Sequence, residues 1–319
     1  HRLNVHQVQR VCRIVGDEDD VVLLAQAAAE RVADVDLVID GVSLVSGNAP
    51  LSHVRANAAS AAAAFGWEFP IRTGRELPVL CKLETAQGIL GQSGIPTSGR
   101  SLPPADPLPI SNAFAALCDW LADGAGPKRI LALGPLTNIA AVALARPELA
   151  ARIDELTWMG GGVTSGNHTA SAEFNAFADP EALAIVLAHD MPLRMIDLDI
   201  CRKVLAWPAD VARLRQTAGE KAQLLADLLE GYVNIAISRG RQAMALYDPT
   251  AAAIFVAPEM ATLRHARIDV ELQGQHTRGR TVVETRASHA EFNAHFAAEI
   301  DADKARSIIF DALFQEAGR

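Results

Sequence analysis

Short apolar runs rich in β-branched residues alternate along the chain with alanine- and leucine-rich stretches of helical period. "VCRIV" (11–15) reads as a strand and "DDVVLLAQAAAERVA" (19–33) as a helix. "VDLVIDGVSLV" (35–45) and "LSHVRANAASAAAAFG" (51–66) form the next such pair. "KRILALG" (128–134) leads into a helical "NIAAVALARPELAARI" (138–153). "ELTWMGGG" (155–162) runs into a loop, and "DPEALAIVLAHD" (179–190) precedes the strand of "PLRMIDLD" (192–199). Alternation at this spacing predicts an α/β fold, Rossmann-like, with a mostly parallel central sheet and helices on both faces. The segment "GQSGIPTSGRSLPPADPLPI" (91–110) is rich in Gly, Pro and Ser and reads as a long loop of the kind that often serves as a lid or binding loop. No repeat or linker divides residues 1–319, which read as a single domain.

Ligand sites on open parallel sheets lie beyond the carboxyl ends of the strands. Polar residues that follow an apolar run are therefore the candidates: Asp17 to Asp20, Ser46-Gly47-Asn48, Gly160 to Gly162 and Asp199.

Composition narrows the function. The 319 residues are 50% hydrophobic and carry a formal net charge of -9, without a Lys/Arg block, which argues against a nucleic-acid partner. Four widely spaced cysteines (Cys12, Cys81, Cys118, Cys201) include no C-x-x-C and fit free thiols in a reducing compartment. The first residues lack a signal-peptide apolar region, and no run of about 18 apolar residues spans a bilayer. The expectation is a soluble cytoplasmic enzyme without a membrane partner.

Three groups carry candidate chemistry. In "GDEDD" (16–20) four carboxylates crowd together where a strand ends and a helix begins. Acids in a first helical turn complement its dipole, which accounts for one or two of them. A hard divalent cation such as Ca²⁺ or Mg²⁺ would relieve their repulsion, but needs a further distant carboxylate and carbonyls. "LYDPTAAAIF" supplies that carboxylate in Asp248, which also reads as a helix N-cap before a Pro at the first helical position. In "NHTASAEFNAFADPEA", Asn167, Glu173 and Asn175 form a set suited to a polyhydroxylated ligand, since amides both donate and accept.

In this order, the pieces "GVSLVSGNAPLSHVRANA", "LALGPLTNIAAVALARPELAARI", "WMGGGVTSGNHTASAEFNAFADPEAL", "MIDLDICRKV", "YDPTAAAIF" and "GQHTRGRTVVE" resemble the inosine–uridine-preferring nucleoside hydrolase family. The resemblance implies a bound Ca²⁺ and hydrolysis of the N-glycosidic bond of a ribonucleoside to free base and ribose, in purine and pyrimidine salvage, by a homodimer or homotetramer. Residue by residue, it implies metal ligands at Asp20, Asp248 and the backbone carbonyl of Leu133. Asn48, Asn167, Glu173 and Asn175 would bind the ribose hydroxyls, with Met159 beneath the sugar and Phe174 and Tyr247 shaping the pocket. Asp17 and Asp19 are the candidate catalytic carboxylates.

This chain departs from the family pattern in three places. The family's general base is an aspartate upstream of the acidic motif, and without a gap that position is Val15. Loss of the base, transfer of its role to Asp17, and absence of a short loop segment ahead of Gly16 all stay open. Tyr247 stands where many members have a histidine, and its ordinary pKa near 10 makes it a poorer acid. The family's His-Gly-x-Asp-Gly loop is replaced by "ETAQGILG", leaving His168, His189 and His276 as substitutes. The alternative function is therefore a catalytically impaired relative that binds ribosides or other sugar-containing ligands without turnover.

Overall fold

The computed structural model describes residues 9–16, 37–124 and 126–319. The acidic cluster, with Asp17, Asp19 and Asp20, and the helix expected at 19–33 lie outside the described residues. The strands are β1 (Gln9–Gly16), β2 (Leu37–Leu44), β3 (Ile71–Thr73), β4 (Arg129–Ala132), β5 (Glu155–Met159), β6 (Leu193–Ile196), β7 (Leu205–Ala206), β8 (Met244–Ala245), β9 (Ala261–Val270), β10 (Thr281–Glu284) and β11 (Ala294–Ile300). The helices described are α1 (Leu51–Phe65), α2 (Gln87–Leu90), α3 (Ala113–Ala122), α4 (Thr137–Ala145), α5 (Pro147–Ala150), α6 (Phe174–Ala178), α7 (Pro180–Ala188), α8 (Leu198–Cys201), α9 (Pro208–Arg215), α10 (Ala222–Ser238), α11 (Tyr247–Val256) and α12 (Ala302–Ala317).

Nine strands form one sheet in the order β10-β9-β11-β6-β5-β4-β1-β2-β3. From β6 through β3 every pairing is parallel, and β9 and β10 add an antiparallel edge beyond β11. Uniform burial explains the continuous apolar run of "ELTWM": all five residues of β5 are buried, as befits a central parallel strand covered on both faces. One core cluster joins the sheet to α8 through α12, including Leu225, Leu229 and Phe255. A second joins it to α3, α4 and α7, including Leu117, Ile139 and Leu183. The expected helices on both faces are therefore present.

The parallel register levels the carboxyl ends of the strands. Gly16 is paired with Leu44, Val15 with Ala132, Ala132 with Trp158, and Met159 with Ile196. The chain runs outward from β1 to β2 and β3, then returns to the other side of β1 as β4. That reversal opens a crevice at this rim.

Two local expectations need correction. The stretch 138–153 is not one helix: Pro147 has no N–H to donate, and the chain breaks at Arg146 between α4 and α5. Asp248 is not a helix cap, because α11 starts one residue earlier, with Leu246 as its cap, and Asp248 sits inside the first turn. Residues 91–112 carry no helix or strand, in keeping with the expected loop. Cys81, Cys118 and Cys201 are free thiols. No described helix is long and apolar enough to cross a membrane.

At the opposite, amino end of the sheet, buried Glu155 on β5 accepts from Arg129 on β4 at 2.8 Å and pairs with Arg194 on β6 at 3.0 Å. Thr157 donates to the same carboxylate at 2.8 Å. Glu155→Gln would leave the largely buried Arg129 and the partly exposed Arg194 without their shared anion. A loss of about 3 kcal/mol is expected in urea unfolding, at the low end for a broken buried pair because Arg194 is partly exposed. An unchanged midpoint would contradict this role.

Candidate active site

Beyond β5 the chain turns through Gly160, Gly161 and Gly162. A Cβ on Gly160 would lie 2.1 Å from the Trp158 ring, and Gly161 adopts φ +74°, a left-handed conformation open to glycine. Gly162 donates its N–H to the Thr281 hydroxyl at 2.9 Å, and that hydroxyl returns a bond to the Gly162 carbonyl at 2.9 Å. The glycines thus let a tight turn be stitched to β10.

The following loop, 163–172, is clamped by two arginines. Arg280 donates to the carbonyls of Val163 at 2.8 Å and Thr164 at 3.2 Å. Arg202 donates to the Ser165 hydroxyl and the Gly166 carbonyl, each at 2.8 Å, and lies 3.7 Å from Asp199.

Glu173 ends this loop and caps α6. Its carboxylate accepts from the N–H groups of Asn175 at 2.8 Å, Ala176 at 2.9 Å and, across the turn, Gly161 at 2.8 Å. At 3% exposure it is a buried anion held by backbone dipoles. Asn175 donates through Nδ2 to the Met159 carbonyl at 3.0 Å, and Asn167 Oδ1 accepts from Phe174 N–H at 2.9 Å.

Asp248, 7% exposed, stands in the first turn of α11, where the helix dipole favours a negative charge. Beside it, burial pushes the Tyr247 hydroxyl above its ordinary pKa, opposed by Arg202. Burial also raises the nearby Cys201 thiol far out of the reactive range, aided by the charges of Asp197, Asp248 and Glu173.

These groups line one cavity of about 250 Å³ at the carboxyl rim. Asn48, Leu133, Met159, Asn167, Glu173, Phe174, Asn175, Tyr247 and Asp248 all belong to its wall. They come from the ends of β2, β4 and β5, the loop before α6, and the start of α11. Leu133 and Asp248 both belong to this wall, and a carboxylate and a main-chain carbonyl are the kinds of oxygen ligand a hard cation takes. Of the expected site residues, Asp17, Asp19 and Asp20 alone lie outside the described residues.

Several wall residues carried no sequence signal. Arg202, Arg239 and Arg241 line the cavity together with Tyr232, Ile235, Ala236 and Met244. The segment "ETAQGILG" contributes Ala86, Ile89 and Leu90, and the Ala86 N–H donates to the Asn48 carbonyl at 2.8 Å. Its Glu84 lies 3.0 Å from His168 Nε2, whose ring packs on Phe174 and Phe177. His168 reaches the wall, whereas His189 and His276 do not belong to it.

A separate group, Cys81, Asp179 and Glu181, brings three ligand-type atoms within 4.8 Å of one another. Each already serves the fold. Asp179 accepts from Thr137, Val79 and Ala182, Glu181 is paired with Arg278, and Cys81 donates to the Ala178 carbonyl. None of the expected metal ligands belongs to it.

A family model described as inosine-uridine preferring nucleoside hydrolase matches residues 15–307. An inosine-uridine preferring nucleoside hydrolase of Crithidia fasciculata is 32% identical over 302 residues, covering 93% of this chain and 94% of that protein. A non-specific ribonucleoside hydrolase of Salmonella paratyphi B is 31% identical over 297 residues, covering 92% and 94%. Among solved structures, a purine-preferring ribonucleoside hydrolase from Gardnerella vaginalis superposes with a TM-score of 0.85 at 23% identity, over 96% of this chain and 99% of that one. A plant nucleoside hydrolase superposes at 0.84 and 21% identity, over 95% and 98%. At these identities the superpositions speak for the fold alone.

Gly161→Ala tests the turn that carries the Glu173 carboxylate. The new Cβ would meet Met195 Sδ at 2.7 Å in a left-handed backbone. A loss of about 2–4 kcal/mol in urea unfolding is expected from strain and overpacking together. Wild-type stability in this variant would show that the turn is looser than described.

Proposed function

The chain belongs to the inosine-uridine preferring nucleoside hydrolase family, hydrolases acting on glycosyl bonds, and from that premise we propose that it hydrolyses the N-glycosidic bond of a ribonucleoside, with Ca²⁺, to free base and ribose. One observation carries the reading: nine residues far apart in the chain, each expected at the metal, the sugar or the pocket around them, line one cavity at the rim of the sheet.

In this reading Asn48, Asn167, Glu173 and Asn175 hold the ribose hydroxyls, and Met159 and Phe174 pack against the ring. Fixing the sugar this way removes much of the entropic cost of reaction. As the bond from C1′ to the base lengthens, positive charge builds on the ribosyl group. Glu173 and Asp248, both buried, stabilise that charge without reorganising, because backbone N–H groups or the helix start already hold them in place. Asp20, Asp248 and the Leu133 carbonyl would hold the cation, which supplies acidity to a water when bound. Asp17 and Asp19 are the candidates to take the water's proton. Tyr247, kept protonated by burial, donates a hydrogen bond to the departing base. A cytoplasmic homodimer or homotetramer acting in nucleoside salvage completes the proposal.

The test is a reducing-sugar assay with purine and pyrimidine nucleosides. Ribose release is expected with calcium, with loss on chelation and recovery on adding calcium back. Glu173→Gln and Asp248→Asn are each expected to lower kcat/KM by about 100-fold or more, comparable to removing one preorganised electrostatic contact. No ribose from any nucleoside, with calcium present and the wild-type protein folded, would refute the proposal.

A further inference from the structure

The acids and bases of the cavity are sorted. Glu173 and Asp248 are buried, whereas Arg239 and Arg241 on the same wall are exposed and close to each other. Arg239 is the C-cap of α10, and the Arg241 N–H donates back to the Ala236 carbonyl at 3.0 Å, so a single turn carries both. Arg202, fixed by Ser165 and Gly166, adds a third guanidinium to the wall.

Several arginines elsewhere pair with carboxylates, as Arg129 does with Glu155, Arg215 with Asp227, Arg278 with Glu181 and Arg306 with Asp210, while Arg152 and Arg280 donate to carbonyls. Among the described residues neither Arg239 nor Arg241 has such a partner. A helix carboxyl end favours a cation, but that benefit does not require either residue to open onto the cavity. The same wall carries Ile89, Leu90, Ile235 and Met244, which make part of the slot apolar. Flat heterocycles bind well in such slots, with their charge read at the rim.

Resting on the hydrolase reading above, the geometry points to a nucleoside whose base carries a carboxylate, held by Arg239 and Arg241. The anion belongs on the base and not on the ribose, since Glu173 and Asp248 would repel a negative group at the sugar. Guanidinium groups bind a carboxylate through parallel N–H bonds, so the slot would favour the acid over its neutral amide.

Titration calorimetry of the whole protein, with calcium and ribose present, compares orotate with its amide and nicotinate with nicotinamide. At least one acid is expected to bind about 10- to 100-fold more tightly than its amide, the size of one charge-assisted hydrogen bond. In the R239Q/R241Q double variant, which alters exposed positions, the ratio is expected to fall to near one. Equal or better binding of both amides overturns the inference. So does a preference for the acid that survives the double variant, or a stronger arginine-dependent gain from a 5′-phosphate on uridine. Ribose release from the matching ribosides separates the two ideas. An acid preference without release from any nucleoside refutes the hydrolase reading alone, and release without preference refutes this inference alone.

Discussion

The carboxylate of Glu173 is where backbone and chemistry meet. Three N–H groups from two segments converge on it: Gly161 from the turn after β5, and Asn175 and Ala176 from the first turn of α6. An unpaired carboxylate buried at this depth would be costly, and these dipoles make its charge tolerable. The same bonds lock the glycine turn to the end of loop 163–172. Met159, Asn167, Phe174 and Asn175 take their places from that junction. Asn175 ties back to the Met159 carbonyl, and Asn167 to the Phe174 amide. Charge, loop shape and pocket wall therefore stand or fall together.

Much of the fold was legible because periodicity reports burial directly. "ELTWM" reads as a central strand since both its faces are covered, and Pro180 after Asp179 marks the start of α7, where Asp179 accepts from Ala182 N–H. Boundaries were less legible: Pro147 divides a pattern that looks continuous, and α11 begins before the Asp-Pro pair that suggests its start. The segment 167–175 stood out in the sequence by its two amides and carboxylate. Leu133 could come only from a resemblance, because a backbone carbonyl leaves no mark in side-chain chemistry. Arg239 and Arg241 were invisible for another reason. Two arginines at the end of a helix are ordinary, and only the tertiary arrangement sets them against α2 and the rim of the sheet.

Two of the three departures from the family pattern, Tyr247 and the segment 84–91, reach the cavity wall. The segment 84–91, without a histidine, forms a short helix whose Ile89 and Leu90 add apolar wall. Tyr247 replaces a titrating group with one that burial keeps protonated. In the proposed reading the ribose contacts keep their amides and acid, while the wall also carries Tyr247, aliphatic Ile89 and Leu90, and arginine. Under the proposed function, kept ribose contacts beside an altered base pocket fit the same bond-breaking step applied to a different leaving group.

A crystal structure grown with calcium and ribose tests the central claim most directly. The account predicts a cation bound by the Asp248 carboxylate and the Leu133 carbonyl at about 2.3–2.6 Å, with ribose hydroxyls on Glu173 and Asn175. A cation held instead by Asp179 and Glu181, with the rim cavity empty of sugar, would contradict it.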